Sequence, residues 1–139
     1  MDVRRFDIGE DLPASLAQLV WAWEGLRAGD GLPARAELPP LRLPKPGARA
    51  SFVLAPDPAA EGGYQRRLTG IDCPAELARA GTGPGTGLAD AAFEAWLTRT
   101  PMTLTTPAWR ALLVPLADGA DHVVLGLVVP REIPTREAA

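Results

Sequence analysis

The residues best able to carry chemistry are His122, Cys73, the glycine run at 81–87, the carboxylates Glu76 and Glu94, and the arginines Arg35 and Arg67. A histidine exchanges protons near neutral pH and ligates haem and metals. His122 is the only one, and it stands beside a turn at the start of an apolar run, which reads as a solvated strand edge and not as a base. Cys73 comes just before a predicted helix, where unpaired backbone N–H groups can lower a thiol pKa. Its surroundings, IDCPAELA, hold nothing further, and a structural thiol is the simpler reading. GTGPGTG could surround an anion with backbone N–H groups. It lacks the Lys-Ser/Thr ending of a Walker loop and does not follow a strand, so it reads as a loop. Glu76 and Glu94 have no partner histidine or nucleophile and read as solvated sides of two helices. Arg67 is suited to anchoring an acidic ligand or a buried carboxylate, with structural pairing the simpler reading, and Arg35 to tying the connector to carbonyls through its five donors. No catalytic residue, metal site or cofactor is expected, and the chain is not read as an enzyme.

Composition narrows the partners. The chain has 139 residues, 47% hydrophobic and 22% charged, which fits one globular domain. Its formal net charge of −3 carries no basic block, so neither nucleic acid nor an anionic membrane surface is expected as a partner. One cysteine excludes an intramolecular disulfide and leaves no Cys/His set with zinc spacing. The first residues lack the apolar core of a signal peptide, and no run is long enough for a membrane span, which makes the cytoplasm the expected location.

The elements that must position these residues follow from periodicity. Residues 1–10 read as a polar arm needing something to dock against, 11–130 as a single domain, and 131–139 as a tail. A helix is predicted from Asp11 to Ala28, with Pro13 in its first turn and Gly29 and Gly31 stopping it. Leu12, Leu16, Leu19, Val20, Trp23 and Leu26 make its stripe, while Trp21 lies on the opposite side with Ala14 and Ala17. The proline-rich connector 31–47 cannot be helix or central strand, yet its leucines pin it to a core. Strands are predicted over 50–55 and 64–69, short helices over 74–80 and 89–97, and strands over 102–106, 109–116 and 121–129 with a turn at 117–120. That order implies an α+β fold with an antiparallel sheet. The last strand, HVVLGLVV, is apolar at nearly every position, so both of its faces need cover.

The tryptophan-containing N-terminal helix, GLPARAELPPLRLP (31–44), YQRRLTG (64–70), and WRALLVPL with VVLGLVV (109–116 and 123–129) together resemble a family of small bacterial PAS-like proteins. The piece around Pro33, Arg35 and Pro40 is the most specific part of the likeness. The resemblance implies a PAS-like five-stranded antiparallel sheet with short helices on one face and an N-terminal helix on the other. It implies a sensory, regulatory or protein-interaction role, with a candidate small-molecule pocket between the sheet and residues 71–99. That segment is shorter and richer in glycine than the family's usual one. It holds no histidine for haem, and Cys73 is not in the motif of a flavin-binding photosensor.

Candidate pocket residues are Phe52, Arg67, Trp96, Leu104 and Trp109, with plain core packing as the competing account. Leu16, Val20, Trp21 and Trp23 are candidates for a homodimer interface on the N-terminal helix, and an unknown protein partner is expected to receive the signal. The alternative is a small cone-shaped α+β enzyme or ligand-processing domain, which would place a His and an acid inside its cavity.

Overall fold

The computed structural model describes residues 2–7, 11–27, 29, 31–39, 43, 47–60, 63–73 and 87–131. The predicted helix over 74–80 with Glu76, the glycine run up to residue 86, Pro40, Pro44 and the tail from 132 lie outside the described residues.

Strands β1 (Asp2–Arg5), β2 (Ser51–Pro56), β3 (Tyr64–Thr69), β4 (Met102–Thr105), β5 (Trp109–Asp118) and β6 (Asp121–Pro130) form one sheet in the order β1-β4-β5-β6-β2-β3. Every pairing between these strands is antiparallel. Helix α1 (Ala14–Leu26) and helix α2 (Leu88–Thr98) complete the α+β architecture. The sheet has six strands where five are expected. The additional one comes from the N-terminal segment read as an arm, whose residues Asp2–Arg5 pair with Thr105–Met102 along the edge that β4 would otherwise leave open.

Strand alternation divides the interior into two cores. Leu112, Val114 and Leu116 of β5 and Val123, Leu125, Leu127 and Val129 of β6 point to one face, where they meet Leu16, Leu19, Val20 and Trp23 of α1. Ala111 and Leu113 of β5 and Val124 and Val128 of β6 point to the other, where Leu88, Ala91, Ala92 and Ala95 of α2 cover them. The near-continuous apolar run of the last strand is thus covered on both faces. The small face of α2, mostly alanine, brings that helix close to the sheet.

Glycine is required in the middle of β6. Gly126 pairs with Phe52 across the β2–β6 ladder, and a Cβ there would lie 2.2 Å from the Phe52 ring. The ring lies over the glycine and fills the space a side chain would take. The β5–β6 turn is shorter than expected: Asp118 pairs with Asp121, leaving only Gly119 and Ala120 between them. Gly119 takes φ +61°, which two-residue hairpin turns demand.

Pro115 sits inside β5, a central strand that should not tolerate proline. The β4 ladder ends at Leu113, so Pro115 deprives no β4 residue of a donor. Its carbonyl accepts the buried Trp23 indole N–H at 2.7 Å. The connector then takes over the same edge: Ala117 N–H donates to Pro33 O at 2.8 Å, Ala34 forms a parallel bridge with Ala117, and Arg35 reaches Asp118 at 3.3 Å. Pro33 and Ala34 therefore meet this edge through a single bridge, and Arg35 opens a 3-10 turn over Arg35–Glu37.

Replacing Gly126 by alanine forces Phe52 to move, and we expect it to lower the unfolding free energy by about 1–3 kcal/mol. Gly25→Ala on α1, where a Cβ would meet nothing within 4 Å, should instead raise it by up to about 1 kcal/mol. Urea unfolding followed by tryptophan fluorescence measures both; equal effects of the two substitutions would contradict the close approach at Gly126.

Candidate functional site

The chemistry-bearing residues the structure gathers are Tyr64, His122 and Asp121, with Trp96 above them. His122 is the second residue of β6, pairs with Ala117, and shares the α2 face with Val124. Tyr64, the first residue of β3, reaches that face two strands away. Helix α2 brings Trp96 down onto the histidine. The rings of Trp96 and His122 stack with centroids 4.3 Å apart and planes 5° from parallel, and Tyr64 meets His122 edge-on at 5.7 Å.

His122 corrects the expectation of a solvated edge residue: it is 5% exposed. The reason is the shortened turn, which moves the histidine into the ladder and under Trp96. The Tyr64 hydroxyl lies 2.8 Å from His122 Nε2. Burial first, and then the Asp121 carboxylate, push the Tyr64 pKa up to about 12, so the hydroxyl keeps its proton, and with the imidazole proton on Nδ1 it donates to Nε2. Burial lowers the His122 pKa, and the charge of Asp121 partly opposes this. A neutral imidazole accepting at Nε2 carries its proton on Nδ1, which lies 3.1 Å from Asp121 Oδ1. That oxygen already accepts the His122 backbone N–H at 2.9 Å. The Nδ1 contact is short but misdirected, and Nδ1 is a buried side-chain nitrogen without a geometrically sound hydrogen bond. We regard it as an electrostatic contact with the carboxylate.

Beside this cluster lies an open groove of about 510 Å³ between α2 and the ends of β2, β3 and β6. Phe93, Trp96 and Asp90 of α2 form one wall, and Tyr64, Asp121 and His122 the other. Phe93 packs obliquely against Trp96 with centroids 5.8 Å apart, and it is 48% exposed.

Of the predicted pocket residues, Trp96 lines this groove. Phe52, Leu104 and Trp109 are packed into the α2-side core. Arg67 is the unpaired residue of a bulge in β3, since Leu68 pairs with Val53 and Arg66 with Leu54, and it is exposed on the sheet's edge strand. Arg35 ends on Asp118, a carboxylate and not the expected carbonyl. Glu94 pairs with Arg5 at 2.8 Å, tying α2 to β1. Cys73 donates weakly to Ser51 O at 3.4 Å, and burial pushes its pKa up, the opposite of what activates a thiol.

The four predicted interface residues separate. Leu16, Val20 and Trp23 are buried against the chain's own sheet, while Trp21 is 72% exposed. Next to Trp21 lies a second groove, of about 450 Å³, walled by Phe6, Glu24, Arg27 and Pro101. Among the described residues no group of His, Cys, Asp and Glu has metal-site geometry, and no helix is long and apolar enough to cross a membrane.

The lowered His122 pKa fixes a sign for pH dependence. The unfolded chain takes up a proton near the ordinary value of 6.5, whereas folded His122 does so only at lower pH. As pH falls below about 6.5, the unfolded state therefore gains protons first and stability is lost, until folded His122 also protonates. We expect wild-type unfolding midpoints to fall more steeply than those of His122→Gln between about pH 7 and 5; parallel profiles would refute the assignment. Compared with protein-family models, with curated proteins and with solved structures, the chain finds no match in any of the three.

Proposed function

We propose that this chain is a PAS-like sensory or protein-interaction module that dimerises through α1, and that it passes changes around α2 to that helix. The observation carrying the reading is that α1 has two apolar sides: it buries Leu16, Leu19, Val20 and Trp23 against the sheet and still presents Trp21 at 72% exposure. A large aromatic on the outer side of a helix that already caps its own core suits a partner surface. The order hairpin, helix, three-strand meander, with α1 on the opposite face from α2, agrees with the PAS-like expectation. Alternate residues of β5 and β6 touch the two helices, so a shift of α2 is felt by the strands that support α1.

A second reading, a small cone-shaped α+β enzyme, is favoured by one observation: Tyr64, His122 and Asp121 bring a hydroxyl, an imidazole and a carboxylate together. Its weakness is chemical. A Tyr64 hydroxyl with a pKa near 12, buried with its proton directed at His122, is poorly placed as an acid or nucleophile for an outside substrate.

Native mass spectrometry tests the first reading. A dimer is expected, and Trp21→Glu should convert it to monomer while leaving the far-UV circular dichroism unchanged. A wild-type protein that stays monomeric at high concentration would overturn dimerisation through α1.

A further inference from the structure

The groove between α2 and β6 has a composition with a chemical direction. Its accessible apolar wall is aromatic, with Phe93 at 48% and Trp96 at 37% exposure. Its charged groups are Asp90 and Asp121, both exposed, and no lysine or arginine is among its described lining residues. Aromatic faces attract cations through their quadrupole, and carboxylates add charge without competing for those faces. A groove of about 510 Å³ lies within the usual range for small-molecule sites.

The group on the rim that is open to a cation is the Asp121 carboxylate. His122 Nδ1, in the groove wall, is a buried polar atom lacking a properly directed partner, and the nearest acceptor is the Asp121 carboxylate on the groove rim. Among the described residues, Asp121 meets its neighbour's backbone N–H and makes this misdirected contact, and no cationic side chain pairs with it. The stack of Trp96 on His122 holds the indole in one orientation, and Trp96 and Phe93 both line the groove. This preorganisation costs a ligand little ordering of the wall.

We propose that this groove binds a small organic cation, an alkylammonium or arylammonium group seated against Trp96 and Phe93 with Asp90 and Asp121 as its counter-charges. The proposal deepens the sensory reading, on which it rests for its regulatory meaning, by naming the ligand class and by placing the site at the edge of α2, outside the packed core. Loading the groove presses on α2 and on the first residues of β6, the strand shared with the α1-side core.

The test titrates 15N-labelled full-length protein with choline and with its uncharged isostere 3,3-dimethyl-1-butanol. Choline should give saturable shifts of the Trp96 indole N–H and of the Phe93, Asp121 and His122 amides, and bind at least about tenfold more tightly than the isostere. Asp90→Asn, at an exposed position, should weaken choline by about threefold and leave the isostere unaffected. Trp96→Leu should remove binding; because that residue also packs on His122, its fold is checked by near-UV circular dichroism, and Asp90→Asn carries the test if it fails. Equal affinity for the two compounds, shifts that avoid α2, or indifference to Asp90→Asn would each overturn the proposal. Nα-acetyl-lysine methylamide binding where choline does not would likewise overturn it, in favour of a basic side chain from a partner protein. Native mass spectra of the same samples separate the two readings: a dimer without choline binding defeats only the ligand class, and a monomer that binds choline defeats only dimerisation.

Discussion

The β5–β6 hairpin, buried on both faces, is the constraint on which the rest of the molecule depends. Neither strand can be exposed on either side, so one helix must cross each face. Helix α1 brings leucines and a tryptophan to its face, and α2 brings alanines to the other. The difference has a physical consequence: large side chains fill a deep α1-side core, while the alanine face lets α2 sit low enough for Trp96 to cover His122. The polar cluster is thus a by-product of how closely α2 approaches the sheet.

Much of the fold was legible because its signals are local. The predicted helix over 11–28 forms as Ala14–Leu26, and the strands over 64–69 and 121–129 fall within a residue of the observed bounds. Pro13 and the Gly29 region mark the ends of α1, and β-branched density marks the strands. The two-sided cover required by HVVLGLVV also follows from composition alone. Less legible were features set by pairing over long distances. Nothing in DVRR announces a strand, because β1 exists only through its ladder with β4.

The candidate site was harder to read for the same reason. His122 lies beside a turn in sequence, and a turn of four residues would have left it in solvent; a turn of two puts it in register with Ala117. Its even-numbered alternation with Val124, Gly126 and Val128 was the available signal for an inward-facing side chain. The approach of Tyr64 across two strands and of Trp96 from α2 carries no sequence signature. Conversely, Phe52, Leu104 and Trp109 have the composition of pocket walls but are consumed by packing, Phe52 by the bare backbone of Gly126. Aromatic residues announce burial and do not say whether a void accompanies it.

The edge strand β1 also bears on the order in which the molecule assembles. Its contacts span nearly the whole domain, as in the bond between Thr103 and the Arg4 carbonyl, 99 positions apart. Closing so long a loop has little to recommend it until β4 is already paired with β5. The hairpin can form early from neighbouring residues, whereas β1 joins a finished edge. Thermal fluctuations should release it first, exposing the β4 edge before the two cores open.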